Sequence, residues 1–239
     1  MISFYIISTI VIFLGIVINL PGTIHLNPLM AHFYEPRTAL FLTTVYLVMG
    51  ALSRIIIFKK EIIKDNLLKM CIFGAFGGIS AGFFIGHINS KILLIIFLLS
   101  GLKFIYEFIY KKDKVKLNKN FKDLFIASYI AAFIQSFGIP AGNIRQGYYY
   151  SQGYNIQNVQ GTVAVVFLFS GIGTIISRIT NENISYHEIL KILPTFPIML
   201  ITMYIGKKIL YKIPKSIQDK IILYSLILSM LSVIPLFIS

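Results

Sequence analysis

The sequence predicts an all-α membrane protein with about eight transmembrane helices in two four-helix repeats, each containing a broken helix or a re-entrant segment. The first observation is composition: 56% of the 239 residues are hydrophobic and 13% are charged, too little charge to cover a soluble domain of this size. The second is the division of the chain into apolar stretches of about 20 residues, the length that crosses a bilayer. The third is a polar, proline-containing stretch that occurs twice, at residues 20–28 and 139–147.

Eight apolar segments account for most of the chain, so we expect one integral membrane domain over residues 1–239. Its two halves are about 1–112 and 121–239. Four helices in each half would give both halves the same orientation, with the repeats related by an axis along the membrane normal. The segments are residues 3–20, 37–58, 67–86, 91–110, 121–138, 157–178, 187–206 and 217–238.

Basic residues lie mainly in the loops between these segments. The net charge is +13, and in a membrane protein such charge contacts anionic head groups of the lipid bilayer and fixes orientation. We therefore expect no nucleic-acid partner. Eight spans would place the loops 59–66, 111–122 and 179–186 on one side and the loop 207–215 on the other. The lysine and arginine excess then favours a multi-pass protein of the cell membrane with both termini in the cytoplasm.

The third segment carries glycines at four-residue spacing. Gly74, Gly78, Gly82 and Gly86 lie on one face of a helix and form a ridge that a neighbouring helix can approach closely. The ridge predicts tight packing in the bundle. A seam along which helices slide during a conformational change is the alternative.

The two polar stretches interrupt the apolar pattern in the same way. Pro21 and Pro140 break the helices before them. Residues 22–25 and 142–145 both read Gly-x-Ile-basic and align at an offset of 120 residues. Irregular backbone persists at membrane depth only against protein or a water-filled cavity. We therefore expect the two stretches to face each other and to form a substrate site.

Each polar stretch also contains the signals of a short helix. In the first, Asn27 is the expected N-cap and Pro28 the expected first helical residue. In the second, we expect a polar helix over 144–152 that ends at Gly153, with Asn155 capping the next helix. The N-terminus of a short helix beside a break favours an anion.

The matching positions 25 and 145 carry the central pair of the predicted site, His25 and Arg145. The guanidinium fork of arginine matches carboxylate, sulfonate or phosphate oxygens, and histidine donates a hydrogen bond or changes charge near neutral pH. An arginine that snorkels to the interface and an ordinary loop histidine are the alternatives. The uncharged residues of the predicted substrate site are Thr23, Asn27, Thr43, Asn143, Gln146 and Thr162.

Glu35 is the candidate for proton coupling, because it lies beside Pro36 at the start of the second span. A surface ion pair with Arg37 is the alternative role for this carboxylate.

These features predict a permease, a secondary transporter that moves a small anion by alternating access, and not an enzyme. One alternative is a membrane-embedded metal-dependent enzyme, since His25, His32 and Glu35 lie within eleven residues. No His-Glu-x-x-His motif or nucleotide-binding loop supports it, and we expect no metal and no cofactor. A membrane assembly protein without a substrate is the other alternative. A homo-oligomer is compatible with the sequence.

The motifs around the breaks resemble the sulfite exporter TauE/SafE family of membrane permeases. The segment Val159–Val163 is similar to the Ala-x-Gly-Thr-Ser-like motif that opens a helix in that family, and Arg37–Thr44 is similar to its first copy. Ser177-Arg178, near the end of the sixth apolar segment, is also similar to that family. The resemblance covers nearly the whole chain. It implies about eight helices in two related halves, and transport of small anions, often sulfur-containing ones such as sulfite, sulfonates or sulfoacetate.

Overall fold

The structure, a computed structural model, describes residues 22–110, 117–182, 186–209, 212, 214–233 and 235. The predicted first span 3–20, Pro21, the lysine-rich residues 111–116 and the end of the last predicted span lie outside the described residues. The helices in chain order are α1 (Gly22–Ala31), α2 (Pro36–Ile57), α3 (Leu67–Ile85), α4 (Ser90–Ile109), α5 (121–136), α6 (Gly142–Tyr150), α7 (Ile156–Glu182), α8 (Tyr186–Ile192), α9 (Thr195–Ile209) and α10 (Lys215–Val233).

All regular secondary structure within the described residues is helical, which confirms the all-α prediction. The predicted spans that start at residues 37, 67, 91, 121 and 157 begin within one residue of α2, α3, α4, α5 and α7. Among the described helices, α2, α3 and residues Gln157–Asn181 of α7 are long and apolar enough to cross a membrane. The count of eight spans and the repeat stay predictions.

The predicted seventh span, 187–206, is divided into α8 and α9. Pro194 lies in the turn between them, where its missing N–H group and rigid ring interrupt the helical hydrogen bonds. The Thr195 hydroxyl donates to the Ile192 carbonyl at 2.7 Å across the break. An apolar stretch of spanning length therefore contains a bend that hydropathy alone does not reveal.

The local signals around the second polar stretch are confirmed. Gly153 has a positive φ of 84°, the left-handed conformation that glycine adopts readily after a helix. The Asn155 side chain accepts a hydrogen bond from the Asn158 N–H group at 3.0 Å, and α7 begins at the next residue. Asn155 therefore caps the N-terminus of α7, as the sequence predicted.

The predicted start of the first short helix is wrong. The helix α1 already begins at Gly22, so Asn27 is not its N-cap and Pro28 lies inside it. Proline there removes one backbone hydrogen bond. Packing of α1 against α2, α4 and α10 holds the preceding residues helical, because tertiary contact stabilises short helices more than local signals do.

The glycine ridge of α3 packs tightly against α7. A Cβ atom added at Gly78 would overlap the carbonyl oxygen of Ser170, and one at Gly82 would lie 2.7 Å from the Cβ of Ser177. The ridge prediction is thus confirmed at these positions. On the adjacent face, Gly77 contacts the backbone of Tyr129 in the same way, so α3 is held between α5 and α7.

The two long helices that follow the polar stretches, α2 and α7, are antiparallel. Near the end of α2, Phe58 lies against Gly161 in the first turns of α7, where an added Cβ would be 3.0 Å from the Phe58 Cβ. Near the end of α7, Arg178 Nη2 donates to the carbonyl of Arg37 at the start of α2, at 3.0 Å. The expectation that corresponding helices share one orientation is therefore wrong for this pair.

The reason is a helical hairpin formed by α5 and α6. Ser136 at the end of α5 lies inside the bundle, where its Oγ is 2.8 Å from the Thr174 Oγ1 of α7. The chain then turns back through α6, and Ser151 just after α6 donates to the carbonyl of Leu117 just before α5. Because the hairpin begins and ends at the same end of the bundle, α7 starts at the end where α2 finishes and runs opposite to α2.

One end of the bundle, called the basic end below, gathers the loop 58–66, residues 117–120 and the start of α7. The Asn158 amide donates to the Glu61 carbonyl at 2.8 Å, and Lys207 Nζ at the end of α9 lies 3.4 Å from Glu61 Oε1. Asp65 pairs with Lys119 and raises the pKa of this exposed lysine. The predicted placement of the loop 207–215 opposite the loop 59–66 is thus wrong at Lys207, because the hairpin of α5 and α6 returns the chain to the end of the bundle at which the hairpin began.

Candidate functional site

A small polar cavity lies between α1, α2, α5 and α7, at the level where α5 ends. In this conformation it has room for about one water molecule. Apolar side chains from α2 and α7 close part of its wall. The polar lining residues are Thr23 and Asn27 from α1, Thr43 and Thr44 from α2, Gln135 and Ser136 from α5, and Ser170 and Thr174 from α7.

The antiparallel helices α2 and α7 line the cavity with faces of identical spacing. Each contributes residues at positions i, i+3, i+4 and i+7, which lie on one side of a helix. Thr43 of α2 and Ser170 of α7 occupy the same position in the two faces. The faces are Leu40, Thr43, Thr44 and Leu47 on α2, and Phe167, Ser170, Gly171 and Thr174 on α7.

The two polar stretches meet at the cavity, as predicted. Gly138, in the break after α5, has a φ of 84°, and a Cβ added there would overlap the amide nitrogen of Asn27 on α1. Only glycine fits both the backbone conformation and the close approach. The glycine therefore lets the second break pack directly on the first short helix.

Arg145 on α6 is fully buried directly behind the cavity wall. Its Nη1 donates to Gln135 Oε1, and its Nη2 lies 3.4 Å from Ser170 Oγ. Both acceptors line the cavity and both are uncharged. Within the described part of the chain, no carboxylate forms an ion pair with Arg145, and its Nε has no hydrogen-bond partner. A buried charge without a counter-charge is energetically costly, so this arginine favours an anion nearby.

Two further buried side chains in the cavity have unused hydrogen-bonding groups. Asn27 and Thr43 are each 1% exposed. Neither the amide nitrogen and oxygen of Asn27 nor the hydroxyl of Thr43 makes a hydrogen bond with any described residue. Buried polar groups in folded proteins are nearly always paired, and exceptions mark functional sites. The cavity therefore offers free donors and acceptors to a small polar ligand.

Four other hydroxyl groups of the cavity, those of Thr44, Ser136, Ser170 and Thr174, bond to their own helices. Thr44 donates to the Leu40 carbonyl at 2.9 Å, and Thr174 to the Ser170 carbonyl at 3.0 Å. Ser170 donates to the carbonyl three residues before it. Such bonds are common for threonine and serine inside helices, and they leave Asn27 and Thr43 as the buried groups free to bind a ligand.

The structure brings four of the predicted substrate residues to this cavity. Thr23, Asn27 and Thr43 line it, and Arg145 borders it through Gln135 and Ser170. His25 is buried at 4% exposure but is not among the lining residues. Thr23 and Asn27 are one helical turn apart, so the residue midway between them lies on a different side of α1.

The remaining predicted substrate residues lie elsewhere. On α6, Asn143 is exposed and Gln146 is half-buried, and neither lines the cavity. Thr162 accepts a hydrogen bond from the Ile63 N–H group at 2.8 Å and donates to the Asn158 carbonyl at 2.6 Å. It thereby holds the loop 58–66 against the start of α7. Substrate binding by these residues stays a prediction.

Glu35, the candidate for proton coupling, is exposed and accepts a hydrogen bond from Ser90. Arg37 instead donates through Nε and Nη2 to the Ile88 carbonyl, at 2.9 and 2.6 Å. The carboxylate thus lies outside the cavity, and its role in coupling stays a prediction.

The three residues considered for a metal site have different environments. His25 is buried, whereas His32 and Glu35 are exposed. In the parts of the chain that the structure describes, no three His, Cys, Asp or Glu side chains are close enough to hold a metal ion.

Sequence reasoning missed four of the polar lining residues, namely Gln135, Ser136, Ser170 and Thr174. A signal for the first pair was present, since both are polar residues inside an apolar segment, just before the glycine of the break. Polar side chains within spans tend to mark functional sites. Ser170 and Thr174 carry a weaker signal, since serine and threonine also occur in spans as packing residues.

Comparison with known proteins returned one informative match. A family model described as sulfite exporter TauE/SafE matches residues 4–233 of the 239-residue chain. This match confirms the resemblance that the motifs around residues 37–44 and 159–163 indicated. No curated protein and no solved structure matches the chain.

Proposed function

The chain belongs to the sulfite exporter TauE/SafE family, and on that premise we propose that it is a secondary transporter for a small anion. Membership of the family implies a membrane transporter for sulfur-containing anions, so sulfite and sulfonates are the first substrates to test. The observation that carries the proposal is Arg145. It is fully buried, has no acidic partner among the described residues, and bonds to two neutral side chains of the cavity wall.

The chemistry of the cavity favours an anion over a neutral or cationic substrate. No acidic side chain lines it, and the positive charge of Arg145 lies one side chain away. Free donors on Asn27 and Thr43 replace part of the water shell that the anion loses on entry. Because the cavity has room for about one water molecule, an anion of four heavy atoms enters only after the surrounding helices separate.

The arrangement of α2 and α7 supports transport by alternating access. Their antiparallel orientation is that of an inverted repeat, whose axis lies in the membrane plane and passes near the substrate site. The first residues of the helices agree with such a repeat, since α1 and α6 begin 120 residues apart, as do α2 and α7. Rocking of the two halves would then open the cavity first to one side and then to the other.

We infer that the basic end faces the cytoplasm. Its described lysines outnumber the basic residues at the opposite end, and lysine and arginine in short loops favour the cytoplasmic side. The predicted cytoplasmic location of the termini stays a prediction, since residues 1–21 and 236–239 lie outside the described residues. The lysines of the basic end are Lys59, Lys60, Lys64, Lys69, Lys119, Lys122, Lys207 and Lys208.

Uptake by proteoliposomes that contain the purified protein tests the proposed function. We expect radiolabelled sulfite or methanesulfonate to enter at least ~10-fold faster than into protein-free liposomes, a difference that corresponds to ~1.4 kcal/mol. Dimethyl sulfone is the matched control, because it has nearly the shape of methanesulfonate without the charge. An equal protein-dependent increase in the uptake of the sulfone and the sulfonate over protein-free liposomes, or no such increase for sulfite, sulfonates and acetate, would contradict the proposal.

A further inference from the structure

We propose that Gln135 is the residue that binds the anion directly, and that Arg145 is a positioning residue that acts through it. The inference rests on the proposed function and deepens it, since it specifies which atoms of the cavity contact the substrate. It also changes the role that the sequence suggested for the arginine.

The hydrogen bond between the two side chains determines how the Gln135 amide is oriented. A guanidinium group carries only donors, so the amide atom that faces Arg145 Nη1 has to be the oxygen, Oε1. The amide nitrogen, Nε2, is then the free end of the side chain. It has no hydrogen-bond partner among the described residues, and Gln135 lines the cavity.

Arg145 itself is separated from the cavity. It is 0% exposed and is not a lining residue, whereas both of its acceptors, Gln135 and Ser170, are. Its charge nevertheless acts on the site. A donor that bonds the amide oxygen polarises the amide and strengthens its N–H groups as donors, because linked hydrogen bonds reinforce one another at low dielectric.

Three free donors then point to one small volume from three different helices. Gln135 contributes an amide N–H pair from α5, Asn27 contributes one from α1, and Thr43 contributes a hydroxyl from α2. A set of neutral donors polarised from behind by a buried cation suits an oxyanion with several acceptor oxygens. The same donors bind the anion without forming the tight ion pair that would slow its release.

Two substitutions at this pair test the inference with sulfite as the probe, by titration calorimetry and by the unfolding temperature of the ligand-free protein. Gln135→Glu keeps the size of the side chain and gives Arg145 a carboxylate partner. We therefore expect sulfite affinity to fall by ~10-fold to ~100-fold, while the unfolding temperature does not fall. Arg145→Lys keeps both a donor to Oε1 and the charge, so we expect affinity within about 10-fold of the wild type.

Gln157→Glu is the matched control, since it makes the same change on a half-buried glutamine in the first turn of α7, outside the cavity. Its sulfite affinity should equal that of the wild type. Unchanged affinity in Gln135→Glu, or in Gln135→Ala, would overturn the inference while leaving the proposed function intact. If the wild type binds none of sulfite, methanesulfonate and acetate, both the inference and the proposed function are refuted.

Discussion

Replacement of Arg145 by methionine is expected to reduce sulfite transport at least ~100-fold while leaving the ligand-free protein at least as stable as the wild type. Transport falls because a buried charge and the hydrogen bond that orients Gln135 are lost together, and hydrogen bonds to charged groups contribute about 1.5–3 kcal/mol each. Stability does not fall, because Arg145 is fully buried without a counter-charge among the described residues. Replacing a buried ion pair by apolar side chains of similar volume is often neutral or stabilising by about 1–4 kcal/mol, and Arg145 lacks even the counter-charge of such a pair.

The two readouts separate function from folding. Flux is measured in proteoliposomes, and stability is measured as the unfolding temperature in detergent without ligand. Lys122→Met is the matched control, because it removes one positive charge from an exposed position on α5, and it should change neither quantity. Normal sulfite transport by Arg145→Met would show that Arg145 has no role in the mechanism. A variant that unfolds more readily but transports normally would make it a structural residue.

Substitution of Gly78 by alanine is expected to lower the free energy of unfolding by about 2–3 kcal/mol. The added Cβ would overlap the carbonyl oxygen of Ser170 and lie 2.9 Å from Thr174 Oγ1. Because the obstacle is the backbone of α7, the clash is relieved only if α3 and α7 separate, and overpacking of this kind costs about 1–3 kcal/mol or more. The measurement is the free energy of unfolding in mixed micelles of detergent and denaturing surfactant.

Gly142→Ala is the control for the gain in helix propensity. No atom lies within 4 Å of a Cβ added at Gly142, so this variant should be neutral or more stable by about 0.4–1 kcal/mol. A stable Gly78→Ala variant would contradict the packing account. If such a variant also lost sulfite flux, the ridge would instead be the sliding seam that the sequence left open.

The sequence predicted the helices well because their signals are local. Pro36 at the start of α2 and Asn155 before α7 act within one helical turn, and apolar length is a property of one continuous segment. The start of α1 was wrong because packing against three other helices, which no local signal encodes, holds residues 22–26 in a helix ahead of Pro28.

The orientation of the two halves was the larger failure, and its cause is specific. Residues 121–138 are long and apolar enough for a span, yet α5 ends inside the bundle at Ser136 and the chain returns through α6. Hydropathy measures length and polarity and does not measure direction. Treating α5 as a helix that runs from one end of the bundle to the other reversed the predicted direction of every later helix and placed Lys207 at the wrong end.

The candidate site was predicted in part for a similar reason. Asn27, Thr43 and Arg145 were recognised because they lie in or beside the polar stretches. Gln135 was missed because its importance comes from a contact with Arg145 across the hairpin turn. Thr162 was chosen because it lies in the helix that follows the second break, although its hydroxyl is bonded to Ile63 and Asn158. Such contacts between separate elements decide which polar residues are free to bind a ligand.

A crystal structure of the protein with selenite tests the central claim, that the cavity beside Arg145 binds the transported anion. Selenite has the charge and the pyramidal shape of sulfite, and the anomalous scattering of selenium locates it. We predict a selenium peak within about 4 Å of the Gln135 amide nitrogen and of the Asn27 and Thr43 side chains, absent when Arg145 is methionine. Selenium bound only elsewhere on the protein, or a peak in this cavity that persists without Arg145, would contradict the account.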